Sequence, residues 1–346
     1  MTDEHTETEH QRGAARGIAQ GCLVFGATTF SLLWFAPDLF RFLIDTDYGW
    51  QLGMGRQILL GRFPGVDLLL FYGPLVGCAS ALALWLAGSL IGEVALCSLG
   101  YGTALFLMHR IARRWVSPIA GWIVPLAGLL LLARFYKWSY WLFPVAVLYS
   151  YHRYLDGGRE RSRWLLIGGL IAGVGGLFRH DLGLVFAIFL PSLLVAESWH
   201  LKRWLVGRAP CFFGGLAAPL LIWLAVLAMA GGTGAVRDYF VATFASSTGY
   251  AENWALPVRF FDWTDPFSIR SVQSGLFVGQ AMFFVTSVAC TLIGGLGGFL
   301  RRSRGGEQLR LMAAVGVLAI GLSPQGFVRA APCLPIHSCT TSRSGC

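Results

Sequence analysis

The chain has 346 residues, of which 55% are hydrophobic and 13% charged, with a mean hydropathy of +0.60. Soluble domains carry about 25% charged residues, so the composition excludes an ordinary soluble enzyme and points to an all-α, polytopic membrane protein. The net charge of +9 does not signal nucleic acid, because Arg and Lys fall in short clusters between apolar runs, the pattern that sets membrane topology.

In chain order, the head MTDEHTETEHQRGAAR is polar and acidic and lacks the basic start of a signal peptide, which predicts a short disordered cytoplasmic tail over 1–17. A helix needs about 20 apolar residues to cross a bilayer. Candidate crossings lie near 18–36, 90–108, 116–133, 135–152, 164–178, 182–198, 209–231, 275–300 and 308–323. With 71–88 this predicts a bundle of about nine or ten membrane segments over 18–330. Five of the eight cysteines (Cys22, Cys78, Cys97, Cys211 and Cys290) sit in apolar segments without zinc spacing.

The clusters HRIARR (109–114), RYLDGGRERSR (153–163), HLKRWLVGR (200–208) and RRSRGGEQLR (301–310) join Arg12 and Arg16 on the cytoplasmic side. That sidedness is consistent when 71–88 is a juxtamembrane or re-entrant helix, tolerated where protein surrounds it. The opposite face then collects the external loop 37–70, the junctions RFYKWSYW (134–141) and FRHD (178–181), a loop over 232–274, and SPQGFVRA (323–330). The glycine runs at 168–176 and 294–298 lie inside apolar segments and read as close helix contacts rather than nucleotide loops.

Chemistry concentrates in the stretch DTDYGWQLGMGRQILLGRFPGVDLLLFYGP (45–74). Ionised side chains are costly near hydrocarbon, so acids at such a boundary are functional candidates. Asp45 and Asp47 form a D-x-D pair: one can accept a proton from an acceptor hydroxyl, while the other orients substrate or the two hold a divalent cation, the one cofactor the pattern allows. Asp67 and Tyr72 follow. In RFYKW, Arg134 and Lys137 flank aromatics, and in FRHD, Arg179 and His180 precede Asp181. Arg forks and Lys point charges suit a lipid phosphate at the membrane surface, although aromatic and basic residues also anchor helix ends. The loop YAENWALPVRFFDWTDPFSIR mixes Glu252, Asp262 and Asp265 with Trp254 and Trp263, which suits a saccharide cleft or a segment lying on the membrane.

These motifs resemble the polyprenyl-phosphate-dependent glycosyltransferases of the GT-C superfamily, related to protein O-mannosyltransferases and aminoarabinose transferases. The resemblance rests on DTDYGWQLGMGRQILLGRFPGVD with FYGPL, on F-R-x-D-x-G (Phe178 to Gly183), and on Pro324, Gln325 and Arg329. It departs from the family at Gln51, where His is common after the Trp, and in having no clear Asp-Glu pair. It implies inverting transfer of a sugar from a polyprenyl-phosphate donor to a glycan, lipid or protein acceptor on the outer face. Asp47 or Asp45 would be the base, in a bacterial inner membrane. A lipid-linked saccharide transporter or flippase would instead need charges buried along a path through the spans, where Glu93 is the main example. A non-catalytic envelope-assembly subunit would leave the Asp pair replaceable. From Ala331 the text turns to APCLPIHSCTTSRSGC, a break that reads as a frame shift near codon 330 or as a disordered tail.

Overall fold

The computed structural model describes residues 17, 19–31, 34, 46–68, 70, 72–130, 137–156, 161–187, 209–252, 282, 285–295 and 308–319. For 46–48, 129–130, 161 and 244–252 it describes the backbone alone. Asp45, Arg134, Arg329, the acids and Trp residues of 253–274, the head before 17 and the tail 331–346 lie outside the described residues. Every regular element described is a helix; the one β-type pairing is an isolated bridge between Pro64 and Leu68.

The helices are α1 (19–31), α2 (Thr46–Leu59), α3 (Pro74–Ala87), α4 (Ile91–Trp115), α5 (Ala120–Leu130), α6 (Trp138–Asp156), α7 (Arg161–Phe178), α8 (180–187), α9 (Ala209–Glu252), α10 (Val285–Gly295) and α11 (Gln308–Ala319). The chain divides into two compact units, 1–243 and 244–346. In the second, α10 and α11 touch where Gly294 lies against the Leu309 carbonyl, which fits the close-contact reading of that glycine run.

Among the described residues, two helices are long and apolar enough to cross a membrane: α4, and α9 as far as Thr243. The 25 residues of α4 span about 37 Å, against a hydrocarbon core of about 30 Å. Only 22% of the most apolar stretch of α9 is buried, with Ile222 66% and Met229 79% exposed. A helix apolar on all sides and left uncovered is a poor fit to water. By contrast α3 has 14 residues, about 21 Å, which agrees with the expected short helix over 71–88. Pro74 starts it, where a missing N–H costs nothing, and left-handed Gly88 ends it, its N–H bonding the Leu84 carbonyl at 2.8 Å.

The expected loop from 232 begins instead as helix. Gly232 takes φ 70°, ψ −173°, a conformation L side chains rarely adopt, and so breaks α9 into two helical stretches joined at a kink. Beyond the kink, Ala235 and Tyr239 recur one turn apart and are both buried, so the helical register pays for itself through packing. Before the kink, α9 meets α7 through glycine: a Cβ on Gly169 would fall on the Phe212 carbonyl and one on Gly215 on the Leu166 carbonyl. In a bilayer, where apolar burial gives little drive, such backbone contact is what holds helices together.

One core cluster binds the elements that matter below. Met54 of α2, Leu70, Leu177 at the end of α7, and Trp223, Leu227, Ala235 and Tyr239 of α9 are buried together. Phe63 stacks on Trp223, ring centroids 5.9 Å apart and nearly parallel. At the far end of α6, Trp115 donates to His152 Nδ1 at 2.6 Å and Arg114 pairs with Asp156 at 3.5 Å, which ties α4 to α6 among the basic residues.

Candidate functional site: an arginine cleft where three segments meet

The chain must turn sharply after Tyr72, and it does so on the end of α7. Gly73 donates its N–H to the Phe178 carbonyl at 2.9 Å, and a Cβ there would fall on the Leu177 carbonyl. Only glycine allows this approach. The contact joins two motifs about a hundred residues apart, FYGP and FRHD, and sets Tyr72 beside Arg179.

Helix α7 breaks at Arg179, and α8 starts at once with His180. In that short interval Arg179 Nε and Nη2 donate to Asp181 Oδ1 and Oδ2, both at 3.0 Å. The guanidinium lies between two rings, with its carbon 4.5 Å from the centre of Tyr72 and 4.1 Å from that of Tyr140. Such cation–π contacts are strong when water is excluded, and the Arg179 side chain is only 13% exposed. Tyr140 comes from the first turn of α6, just after Lys137, whose Nζ lies 5.5 Å from the same ring and which is 5% exposed. Trp138 packs edge-on against Phe178 at 5.2 Å and backs the cleft.

Gln51 of α2 completes the wall, together with Val76 and Ser139. The cleft is tight, about 20 Å³, room for about one water. Two cations and one carboxylate give it a net positive balance. It sits at one end of α6, and His152 and Arg153 lie at the other, about 21 Å along the axis.

The remaining candidates go elsewhere. His180 turns away from the cleft: its Nε2 lies 2.7 Å from the Tyr239 hydroxyl, ring against ring at 5.5 Å. Burial pushes its pKa from the usual 6.5 to about 4, with Asp181 opposing and Arg179 adding to the shift, so the imidazole is neutral at pH 7. Asp67 is exposed and closes its own turn, Oδ2 accepting from the Phe63 N–H at 2.7 Å. It lines a separate open groove of about 280 Å³ with Leu70, Asp238, Tyr239 and Thr243. Asp47 lies in the first turn of α2, one turn before Gln51. Among the described residues no three His, Cys, Asp or Glu side chains converge on a metal position. Asp45 and the Asp47 side chain lie outside that statement.

The structure thus brings Tyr72, Lys137, Arg179 and Asp181 together and sets Asp67 and His180 apart. Sequence reasoning did not select Gln51, Trp138 or Tyr140 as cleft residues, nor Tyr239. Tyr140 had a usable signal: it falls one helical turn after Lys137, on the same face. Tyr239 had none once 232–274 was read as loop. Chemically, the cleft offers a fixed guanidinium and an ammonium to an anion, with aromatic rings to exclude water. Searches against protein-family models, curated proteins and solved structures found no match to the chain.

Proposed function

We propose that the protein is a multi-pass membrane glycosyltransferase that takes a sugar from a polyprenyl-phosphate donor on the extracytoplasmic face, with the donor phosphate held by Arg179 and Lys137. The observation that carries this reading is the convergence of Tyr72, Lys137 and Arg179 from three segments of the chain on one small cationic cleft. The opposite end of α6 carries the basic residues expected in the cytoplasm. A lipid phosphodiester at a membrane surface, and the phosphate monoester that leaves when the sugar is transferred, match a planar fork beside a point charge.

In this reading the acceptor hydroxyl loses its proton to Asp47, or to Asp45, as its oxygen attacks the sugar carbon. The bond to the lipid phosphate breaks from the other side, and the anionic leaving group is stabilised by Arg179 and Lys137. Asp47 belongs to the helix that supplies Gln51 to the cleft, one turn earlier, which supports that assignment. Transfer of labelled sugar from synthetic lipid-phosphate donors in membrane extracts tests it. Asp47→Asn should abolish transfer with abundance and insertion unchanged, and Asp45→Asn should match that loss only if the pair acts jointly. Full transfer by both variants would overturn the catalytic reading. The transporter alternative draws on one observation, the fully buried Glu93, and a single acid does not make a path through a bilayer.

A further inference from the structure

The turn that carries Asp67 is pinned from several sides. Phe63 stacks on Trp223, Gly65 donates its N–H to the Leu68 carbonyl at 3.1 Å, and Asp67 Oδ2 accepts from the Phe63 N–H at 2.7 Å. Oδ1 of Asp67 is left uncommitted among the described residues. The open groove of about 280 Å³ beside this turn is lined by a second acid, Asp238. Asp238 reaches it because α9 resumes after the Gly232 kink: Asp238 and Ala242, one helical turn apart, both line the groove, with Tyr239 buried beside them. Among the described residues neither acid has an ion-pair partner.

The groove adjoins the arginine cleft by two routes. Leu70 lines the groove and Tyr72 the cleft, two residues apart, which is about 7 Å of chain at most. Arg179 lines the cleft, and its neighbour His180 lies 2.7 Å from the hydroxyl of Tyr239, which lines the groove. Two carboxylates call for hydrogen-bond donors or for a cation, and the rest of the lining decides between them. Val66, Leu68 and Leu70 give the groove aliphatic walls, which a hydrated cation cannot use. Among the described residues no three His, Cys, Asp or Glu side chains meet on a metal position. A sugar ring matches both parts of the lining: its hydroxyls donate to carboxylate oxygens, and its C–H faces lie against aliphatic side chains. The volume is near the lower end for ligand sites, about 300 Å³, and suits one ring rather than a long chain.

We propose that this groove is the acceptor subsite: it takes a neutral, hydroxyl-rich sugar ring whose hydroxyls donate to Asp67 and Asp238. Of the acceptors open to the transferase reading, it selects one that ends in a saccharide. The inference rests on that reading for its role in the reaction, and on the turn 63–70 and α9 for its geometry. The short separation of groove and cleft sets the acceptor beside the donor phosphate, as direct transfer requires. The division of FRHD then serves both substrates, with Arg179 on the donor side and His180 steadying Tyr239 on the acceptor side.

Saturation-transfer NMR on the full-length protein in lipid nanodiscs tests the subsite, with the methyl glycosides of glucose, galactose, mannose and N-acetylglucosamine as probes. At least one glycoside should bind. Asp67→Asn and Asp238→Asn should each weaken it about tenfold, or 1.4 kcal/mol, for the loss of one charge-assisted hydrogen bond. Both variants keep an oxygen in place, so the Asp67 turn survives, and both should bind dodecyl phosphate as the parent does. Arg179→Lys should leave glycoside binding intact. Calcium chloride, titrated in parallel, should not displace the glycoside. Absence of glycoside binding, or binding that ignores both Asn substitutions, overturns the proposal. So does displacement by calcium that Asp238→Asn removes, which would make the groove a cation site. Asp-dependent glycoside binding in a protein that never binds dodecyl phosphate upholds the subsite and removes the phosphate reading of the cleft instead; phosphate binding without glycoside binding does the reverse.

Discussion

Arg179→Lys separates charge from geometry at the centre of the cleft. The native guanidinium gives two hydrogen bonds at 3.0 Å to Asp181 and lies between rings at 4.5 Å and 4.1 Å. A lysine ammonium keeps the charge but lacks the plane, so it meets a phosphate with a point contact in place of paired donors. A hydrogen bond to a charged group contributes about 1.5–3 kcal/mol, so loss of one contact should weaken phosphate binding about 10- to 100-fold. An ammonium cannot lie flat between both rings, so ring contacts of about 0.5–1 kcal/mol each should weaken and lower stability as well. Titration of dodecyl phosphate into the purified protein, with thermal unfolding in parallel, reads both effects. Unchanged affinity in a folded Arg179→Lys protein would refute the fork as the phosphate ligand and leave FRHD as an anchoring element.

Other consequences are equally open to measurement. Gly73→Ala places a methyl group on the Leu177 carbonyl, so it should cost at least 2 kcal/mol, on the order of an overpacked site, and part Tyr72 from Arg179; a stable variant with parent-like phosphate affinity would contradict that contact. His180 has a folded pKa of about 4 against its usual 6.5, so the unfolded chain takes up the proton first. Stability should therefore be intact above pH 6.5 and fall as the pH drops towards 4, and His180→Gln should flatten that slope in a melting-temperature series. Reporter fusions at Gly158, Gly207 and Gly305 should read as cytoplasmic, with Gly65 and Ser247 on the other side; a cytoplasmic Gly65 would break the common sidedness on which the site rests.

How much of this could be read from the sequence varies by element. That 71–88 holds a helix which does not cross followed from the sidedness of the basic clusters, and Gly73-Pro74 marked its start. That the glycines of 168–176 make close helix contacts was legible as well, since small residues inside an apolar helix have few other uses, but their partner α9 was not. The course of α9 beyond Gly232 was not, because a kink and a helix end carry the same glycine signal, and only burial of Ala235 and Tyr239 separates them. In the site, Arg179 and Lys137 declared themselves through charge at a helix boundary. Their meeting with Tyr72 could not be derived, because it depends on one hydrogen bond, Gly73 to Phe178, between distant parts of the chain. The division of FRHD was equally hidden: Arg179 and His180 are adjacent, but the break after α7 sends one to the cleft and the other to Tyr239.

The ring–guanidinium–ring stack has a directional consequence. Tyr72 and Tyr140 cover both faces of Arg179, and Asp181 occupies the edge made by Nε and Nη2. What these contacts leave uncommitted is the blunt end, Nη1 with the outer side of Nη2, so any further hydrogen bond from the side chain has to lie in the plane of the guanidinium. Ring stacking by a further flat group on Arg179 is therefore blocked from both faces. A side chain already held on three sides also has little rotamer freedom left to lose, out of the roughly 2 kcal/mol that a free arginine gives up on capture.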